Sequence, residues 1–261
     1  MQRLKNILCH PSRIGLYHKD SPLMVIGYLV LFLGFLIGML ALKTYNTNYF
    51  DYSDSNYVTS LIYNNKNETT IEYKDHKLSG SSFVVTSDTF ECYFLSGISI
   101  NNIKNNGMIF IMNENDVNVY YRFRLLKTIN YSDISTDYSF SINDVRKNDS
   151  NALFNIKGFY DCIFKSVDKS YASSVFLTNI LSILQYYFIF SVLVLSVYSY
   201  FINPSISFGV RTKLVIYDSL VYFFVMFFML AFEINFLQYV ALIIPLIYCS
   251  VTFAHILRVR K

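Results

Sequence analysis

Charged residues are scarce in this chain of 261 residues: Asp, Glu, Lys and Arg make up 15%, against 53% hydrophobic residues. An ordinary water-soluble domain carries more charge, so the composition excludes that class. The net charge of +4 is too small to support nucleic-acid binding. Cysteine is scarce as well, and four in the whole chain exclude a small disulfide-stabilised secreted module. The composition that remains is that of a membrane protein.

Four stretches are apolar and long enough to cross a bilayer, whose hydrocarbon core needs roughly 20 helical residues. The predicted spans are 23–44, 173–202, 214–232 and 236–257. We therefore predict a membrane α-helical bundle with four transmembrane helices. No A-x-A cleavage pattern follows the first span, which favours a retained signal anchor over a removed signal peptide.

Basic residues outside the spans indicate the orientation. They concentrate in the tail 1–22, the linker 203–213 and the tail 258–261, which share one side of the membrane if the chain crosses four times. The positive-inside rule makes this side the cytoplasm. We expect a cell-membrane protein with cytoplasmic termini, and with 45–172 and the turn 233–235 on the outer side.

The outer segment 45–172 has the size of a domain, and its pattern predicts an inserted extracytoplasmic α+β domain on a mainly antiparallel sheet. Apolar and polar residues alternate from Val117 to Leu125, as in a half-buried strand. The apolar run 107–112 precedes this strand. Turn residues 113–116 separate the two, which predicts a β-hairpin.

Asp218 is an ionisable residue within the third span, where such a group is costly and by default suggests function. It lies near the start of the predicted helix, where the helix dipole favours an anion, so we expect a structural or interfacial role. The alternative is an intramembrane polar path that combines Asp218 with Gln185 and Asn179 of the second span.

Three glycines share about one face of the first span: Gly27, Gly34 and Gly38. Small residues on one face allow close approach of another helix. We expect packing within the chain, with packing against a second copy, and hence a homo-oligomer, as the alternative.

Two of the four cysteines, Cys92 and Cys162, fall in the predicted outer domain. An extracytoplasmic location permits a disulfide between them. Sequence alone leaves the distance between their Cα atoms open.

Motifs that carry chemistry are missing, among them the P-loop, H-E-x-x-H, G-x-S-x-G, C-x-x-C and the dinucleotide-binding glycine pattern. The four histidines have no partner at metal-ligand spacing. We therefore predict no catalytic residue, no cofactor and no metal site. A hydrolase would need acids such as Asp133, Asp137 or Asp161 to converge in one cleft.

The layout resembles a family of uncharacterised multi-pass membrane proteins of Gram-positive bacteria, often encoded near maltodextrin-utilisation genes. The resemblance rests on Pro11-Ser12-Arg13 in the basic tail, IEYKDHKL (Ile71–Leu78), FVVTSDTF (Phe83–Phe90) and the ending FAHILRVRK (253–261). It implies a bacterial cell membrane and a link to carbohydrate uptake, and it carries over no catalytic residue.

These observations predict a non-enzymatic accessory or sensory protein whose partners are the lipid bilayer and a membrane transporter or envelope complex. Two other functions stay open at this point. One is a transport component with the polar path described above, and the other is a hydrolase at the outer surface.

Overall fold

The computed structural model describes most of the chain, namely residues 2–65, 69–104, 107–134 and 136–259. The chain divides into two compact units, each with its own hydrophobic core. Residues 47–175 form the first, which we call the sheet unit. Residues 1–46 and 176–261 form the second, which we call the helical unit.

The α-helices of the described residues are α1 (Gln2–Cys9), α2 (Pro22–Tyr45), α3 (Tyr52–Asn64), α4 (Ile142–Arg146), α5 (Ser150–Tyr186), α6 (Leu195–Ile202), α7 (Phe208–Phe232) and α8 (Leu237–Val259). A 3-10 helix, Pro11–Lys19, follows α1, and a π-helical segment, Tyr187–Val194, joins α5 to α6. Short 3-10 turns occur at Ile100–Asn102 and Tyr131–Asp133.

Four helical stretches are long and apolar enough to cross a membrane, the number predicted from the sequence: Pro22–Tyr45, Ser150–Ile202, Phe208–Phe232 and Leu237–Ile256. The second has 53 residues, many more than a crossing needs. We predicted its start at residue 173, but the helix begins at Ser150. The reason is that apolar residues at three- and four-residue spacing in its first half pack into the sheet unit.

The C-terminal helix also differs from the prediction. We predicted a separate tail 258–261, whereas α8 continues as a helix to Val259. Residues 260 and 261 lie outside the described part of the chain.

The strands of the described residues are β1 (Glu72–Lys74), β2 (Lys77–Ser79), β3 (Phe83–Thr86), β4 (Phe90–Phe94), β5 (Met108–Met112), β6 (Asp116–Tyr121), β7 (Arg124–Asn130) and β8 (Phe140–Ser141). They form a five-stranded sheet of order β3-β4-β5-β6-β7 and a three-stranded sheet of order β2-β1-β8. The pairing is mainly antiparallel, as predicted, and only β4 and β5 are parallel neighbours among these strands.

The predicted hairpin is formed by β5 and β6, with Met112 opposite Val117. The predicted strand from Val117 to Leu125 is wrong in its length, because β6 ends at Tyr121 and the chain turns back into β7. The alternation of apolar and polar residues continues through this turn. A period of two therefore hides the reversal of the chain.

One face of the five-stranded sheet packs against α5. The ring of Phe164 lies 5.6 Å from that of Phe110 on β5. From the three-stranded sheet, the ring of Tyr73 on β1 lies 4.6 Å from that of Phe159. On another part of the sheet, Ile103 from the loop between β4 and β5 joins a small apolar cluster with residues of both strands. The aromatic contacts make α5 the central helix of this unit.

In the helical unit α7 is the central element, because it contacts α2, α6 and α8. Its apolar stretch is 67% buried, against 22% for α2 and 28% for α8. A side chain on α7 is therefore surrounded by protein on most sides, which decides the environment of Asp218.

Candidate functional site

Asp218 lies on α7, and its side chain is completely buried in the helical unit. Its Oδ1 atom is 2.7 Å from the hydroxyl oxygen of Thr252 on α8. The same hydroxyl lies 2.9 Å from the main-chain oxygen of Pro11, at the start of the 3-10 helix. Through Thr252, the buried carboxyl group thus links α7 and α8 to the start of the 3-10 helix.

The hydrogen bonds of this cluster depend on the protonation of Asp218. A hydroxyl carries one hydrogen, so Thr252 can donate either to the Pro11 carbonyl or to a carboxylate. If Asp218 carries a proton, it donates to Thr252, which then donates to Pro11. With Asp218 neutral, both the Thr252 hydroxyl and the Pro11 carbonyl therefore accept a hydrogen bond. The other carboxyl oxygen, Oδ2, is buried and has no hydrogen-bond partner among the described residues.

The N-terminal segment packs against α7 and α8 instead of forming a free basic tail. The Asp20 carboxylate accepts a hydrogen bond of 2.8 Å from the hydroxyl of Tyr217 and lies 3.2 Å from the guanidinium of Arg3. Lys213 on α7 donates to the main-chain oxygens of His18 and Asp20, each at 2.9 Å. The segment that we predicted as a basic tail is a folded part of the helical unit.

Arg211 is also buried and lies on α7, although we predicted it in the linker 203–213. Its guanidinium donates to the main-chain oxygens of Asn203 and Ile206, at 2.9 and 3.1 Å. It also reaches the Ser199 hydroxyl at 3.3 Å. Arg211 thus binds carbonyl groups of the loop that connects α6 to α7.

The π-helical segment lies beside α7. The hydroxyls of Tyr187 and Ser219 are 2.9 Å apart, and the Tyr187 ring packs 4.3 Å from the ring of Phe223. Such segments are rare and often occur at functional positions. The π-helical segment contains no proline or glycine that would indicate it in the sequence, and we did not predict it.

A cavity of about 400 Å³ lies beside the 3-10 helix within the helical unit. Basic side chains from His18, Lys19 and His255 line it, and none of its described lining residues is acidic. Ser12 and Ser207 add hydroxyl groups. Lys19 contributes a positive charge to this lining, and a positive charge attracts anions.

Within one chain, the structure does not bring together the three residues of the alternative polar path. Asn179 and Gln185 are exposed on the surface of the helical unit, whereas Asp218 is completely buried. Because both amides are exposed, they do not belong to the buried polar cluster around Asp218.

The expectation that the glycines of α2 pack against another helix of the chain is also wrong. Gly27, Gly34 and Gly38 are exposed, and a Cβ atom added at any of them would meet no atom within 4 Å. The residues of α2 that face the core are larger, and they include Phe32 and Leu36. Packing against a second copy stays a prediction.

The two cysteines of the sheet unit do not form the disulfide that we considered. Cys92 on β4 and Cys162 on α5 are free thiols. The sulfur of Cys162 lies 3.7 Å from the hydroxyl of Tyr138. Cys92 is completely enclosed by the core, and this burial raises the pKa of its thiol to about 12.

Each of the three acids considered for a surface hydrolase has a polar side chain of another residue as its neighbour. Asp137 is paired with His76 at 2.9 Å, and Asp161 is paired with Lys165 at 2.6 Å. Asp133 lies near Asn130, with 3.5 Å between their polar atoms. Among the described residues, no group of three His, Cys, Asp or Glu side chains could hold a metal ion.

The core of the sheet unit also holds two phenol groups that the sequence did not single out. The rings of Tyr73 and Tyr131 meet edge to face at 5.2 Å, and neither hydroxyl has a hydrogen-bond partner among the described residues. Burial raises the pKa of Tyr73 to about 12, with the nearby carboxylate of Asp137 as a smaller cause. Burial likewise raises the pKa of Tyr131.

Comparisons with models of protein families, with curated proteins and with solved structures give no match to this chain.

Proposed function

We propose that this chain is a multi-pass protein of the bacterial cell membrane that crosses the bilayer four times. Both termini would lie in the cytoplasm, and the sheet unit would lie outside. Support comes from the four apolar helices and from the basic residues of the tail 1–22 and the linker 203–213. The positive-inside rule assigns such basic segments to the cytoplasmic side.

Within this topology, the proposed role is that of a non-enzymatic accessory or sensory protein. The observation that carries it is helix α5. Its first half supplies Phe159 and Phe164 to the core of the sheet unit, and its second half supplies Ile180 and Ile183 to the core of the helical unit. A helix that is part of two cores would transmit a change of packing from one to the other.

A ligand or envelope protein bound to the sheet unit would then influence a transporter or membrane complex bound to the helical unit. The resemblance to proteins encoded near maltodextrin-utilisation genes suggests carbohydrate uptake as the process. The transport alternative has less support, because Asn179 and Gln185 are exposed whereas Asp218 is buried.

The test is complementation of a strain that lacks this protein, grown on maltodextrins and on unrelated sugars. One variant, Gly80→Val, disrupts the sheet unit: Gly80 has φ +123°, and a Cβ atom there would lie 2.5 Å from the Thr70 carbonyl oxygen. The matched control is Gly97→Asn. Gly97 has φ +59° with open space around it, and asparagine tolerates this conformation.

We expect a growth defect on maltodextrins that the wild type and Gly97→Asn correct and that Gly80→Val does not, although Gly80→Val still reaches the membrane. Co-purification in mild detergent should recover a membrane complex with the wild type. Equal growth on every sugar would reject the carbohydrate role. A protein that is solitary after cross-linking would reject the accessory role.

A further inference from the structure

The turn between β6 and β7 has an unusual composition for its backbone conformation. Arg122 and Phe123 have φ values of +48° and +63°. Two consecutive residues with positive φ are typical of a tight hairpin turn, in which asparagine and glycine are preferred. A bulky residue at such a position is strained, and strain of this kind often marks a functional site. The fold thus holds a cation and an aromatic ring at the tip of a hairpin.

This turn lies at the end of the sheet unit where the chain enters and leaves the unit. Tyr121, at the end of β6, has its ring 4.8 Å from that of Tyr171 on α5. Tyr171 in turn packs 5.2 Å from Tyr49, just after the chain enters the unit. The Tyr49 amide donates to the Asp168 carboxylate at 3.0 Å, which fixes the two chain connections side by side.

The side chains at the tip are free to bind a ligand. Phe123 is 43% exposed. Arg122 and Arg124 are both exposed, and neither forms an ion pair with a described residue. The Arg122 guanidinium stands 5.3 Å from the centre of the Tyr121 ring. Arginine binds phosphate groups through its planar fork of donors, and aromatic rings settle at the level of lipid headgroups.

We propose that this β6–β7 turn, Arg122-Phe123-Arg124, docks on the outer leaflet of the membrane that the chain crosses. Arg122 and Arg124 bind lipid phosphate groups, and the Phe123 ring enters the boundary between headgroups and acyl chains. The apolar part of α5 begins within a few residues of Tyr171, so the proposed crossing would bring the bilayer surface next to the turn. The inference rests on the proposed membrane crossing.

The chain contains no tryptophan, so one introduced residue becomes a unique fluorescent probe. The experiment uses the full chain in nanodiscs made from phospholipids with brominated acyl chains, which quench nearby tryptophan. Phe123→Trp probes the turn. Phe190→Trp, on an exposed residue of the π-helical segment, reports whether the chain is inserted at all. Phe154→Trp is the matched control in the sheet unit, because Phe154 is 72% exposed and 17 residues before Tyr171, about 25 Å along α5.

We expect strong quenching for Phe190→Trp, quenching several-fold greater for Phe123→Trp than for Phe154→Trp, and a loss of that difference when Arg122→Gln and Arg124→Gln are added. Equal quenching of Phe123→Trp and Phe154→Trp would overturn the docking of the turn while the membrane crossing stands. Absence of quenching for Phe190→Trp would overturn the crossing and the docking together.

Discussion

The core of the sheet unit consists of apolar and aromatic side chains, such as Phe110 and Phe164, whereas the core of the helical unit includes the carboxyl group of Asp218 and the guanidinium of Arg211. In the sheet unit the charged partners stay at the surface, and the Asp137 side chain is 92% exposed in its pair with His76. The hydrophobic effect stabilises the core of the sheet unit. Lipid chains are as apolar as leucine, so in the proposed setting the helical unit depends more on packing and specific hydrogen bonds.

The two units should be destabilised by different kinds of substitution. Apolar contacts in the sheet unit are many and individually weak, so its weak points are backbone positions with special conformations. The helical unit has a few polar contacts that each join separate elements. Substitutions at these contacts should therefore have effects out of proportion to their size.

The largest expected effect is in the sheet unit. Gly80→Val should destabilise this unit by at least about 3 kcal/mol, because a side chain there meets the main chain in a conformation that favours glycine. Limited proteolysis of the full chain in detergent measures it. The variant should be cleaved within 47–175 much faster than Gly97→Asn. Equal cleavage rates would show that the strain at Gly80 is relieved elsewhere.

Arg211→Met should have the second largest effect, about 3 kcal/mol, because it leaves the buried carbonyls of Asn203 and Ile206 without their donors. Thermal unfolding in detergent measures the loss. Arg13→Gln removes a charge of the same sign at an exposed position and should leave the unfolding temperature nearly unchanged. Equal losses in both variants would mean that net charge, and not hydrogen bonding, explains the effect.

The stability of the cluster around Asp218 should depend more on the shape of the side chain at position 218 than on its charge. Asp218→Asn keeps a donor toward Thr252, which can still donate to Pro11, so we expect a change below about 1 kcal/mol. Asp218→Ala should cost about 1–3 kcal/mol, because it removes this donor and opens a small cavity. A double-mutant cycle with Thr252→Val measures the coupling. A variant Asp218→Asn as unstable as Asp218→Ala would require a charged Asp218 in the native cluster.

The smallest expected effect concerns thiol reactivity. Burial raises the pKa of Cys92 to about 12, against about 8.5 for a free thiol. Cys92 should therefore stay unmodified by iodoacetamide from pH 7 to about pH 10, whereas the exposed Cys9 should be modified in the same sample. Peptide mass spectrometry reads both residues in one sample. Rapid modification of Cys92 under native conditions would contradict a closed core in the sheet unit.

The four apolar helices could be predicted because a bilayer crossing demands a long uninterrupted apolar run, which is visible in one dimension. The β5–β6 hairpin could be predicted from its alternation and turn residues. We did not predict that α5 begins at Ser150. Its first half lies in the segment 45–172, where we expected mainly strands, although its apolar residues repeat at helical spacing.

The contacts of the candidate site join residues far apart in the chain, and no periodicity reveals them. Thr252 meets Pro11, and Lys213 meets His18, across most of the sequence. From sequence, a basic residue in a linker indicates topology in the same way whether it is exposed or buried. Arg211 is buried against carbonyl groups, and nothing in its sequence position indicates this. Asp218 could be singled out by its cost in an apolar span, but its partner could not.

The most direct test of the proposed topology is the reaction of intact cells with a membrane-impermeant maleimide. The chain carries Phe154→Cys in the sheet unit, and the native Cys9 of the N-terminal segment is the internal comparison, since both positions are exposed. We expect modification of the introduced thiol on intact cells, and of Cys9 only after the cells are permeabilised. Modification of Cys9 on intact cells while the thiol at position 154 stays protected would contradict it.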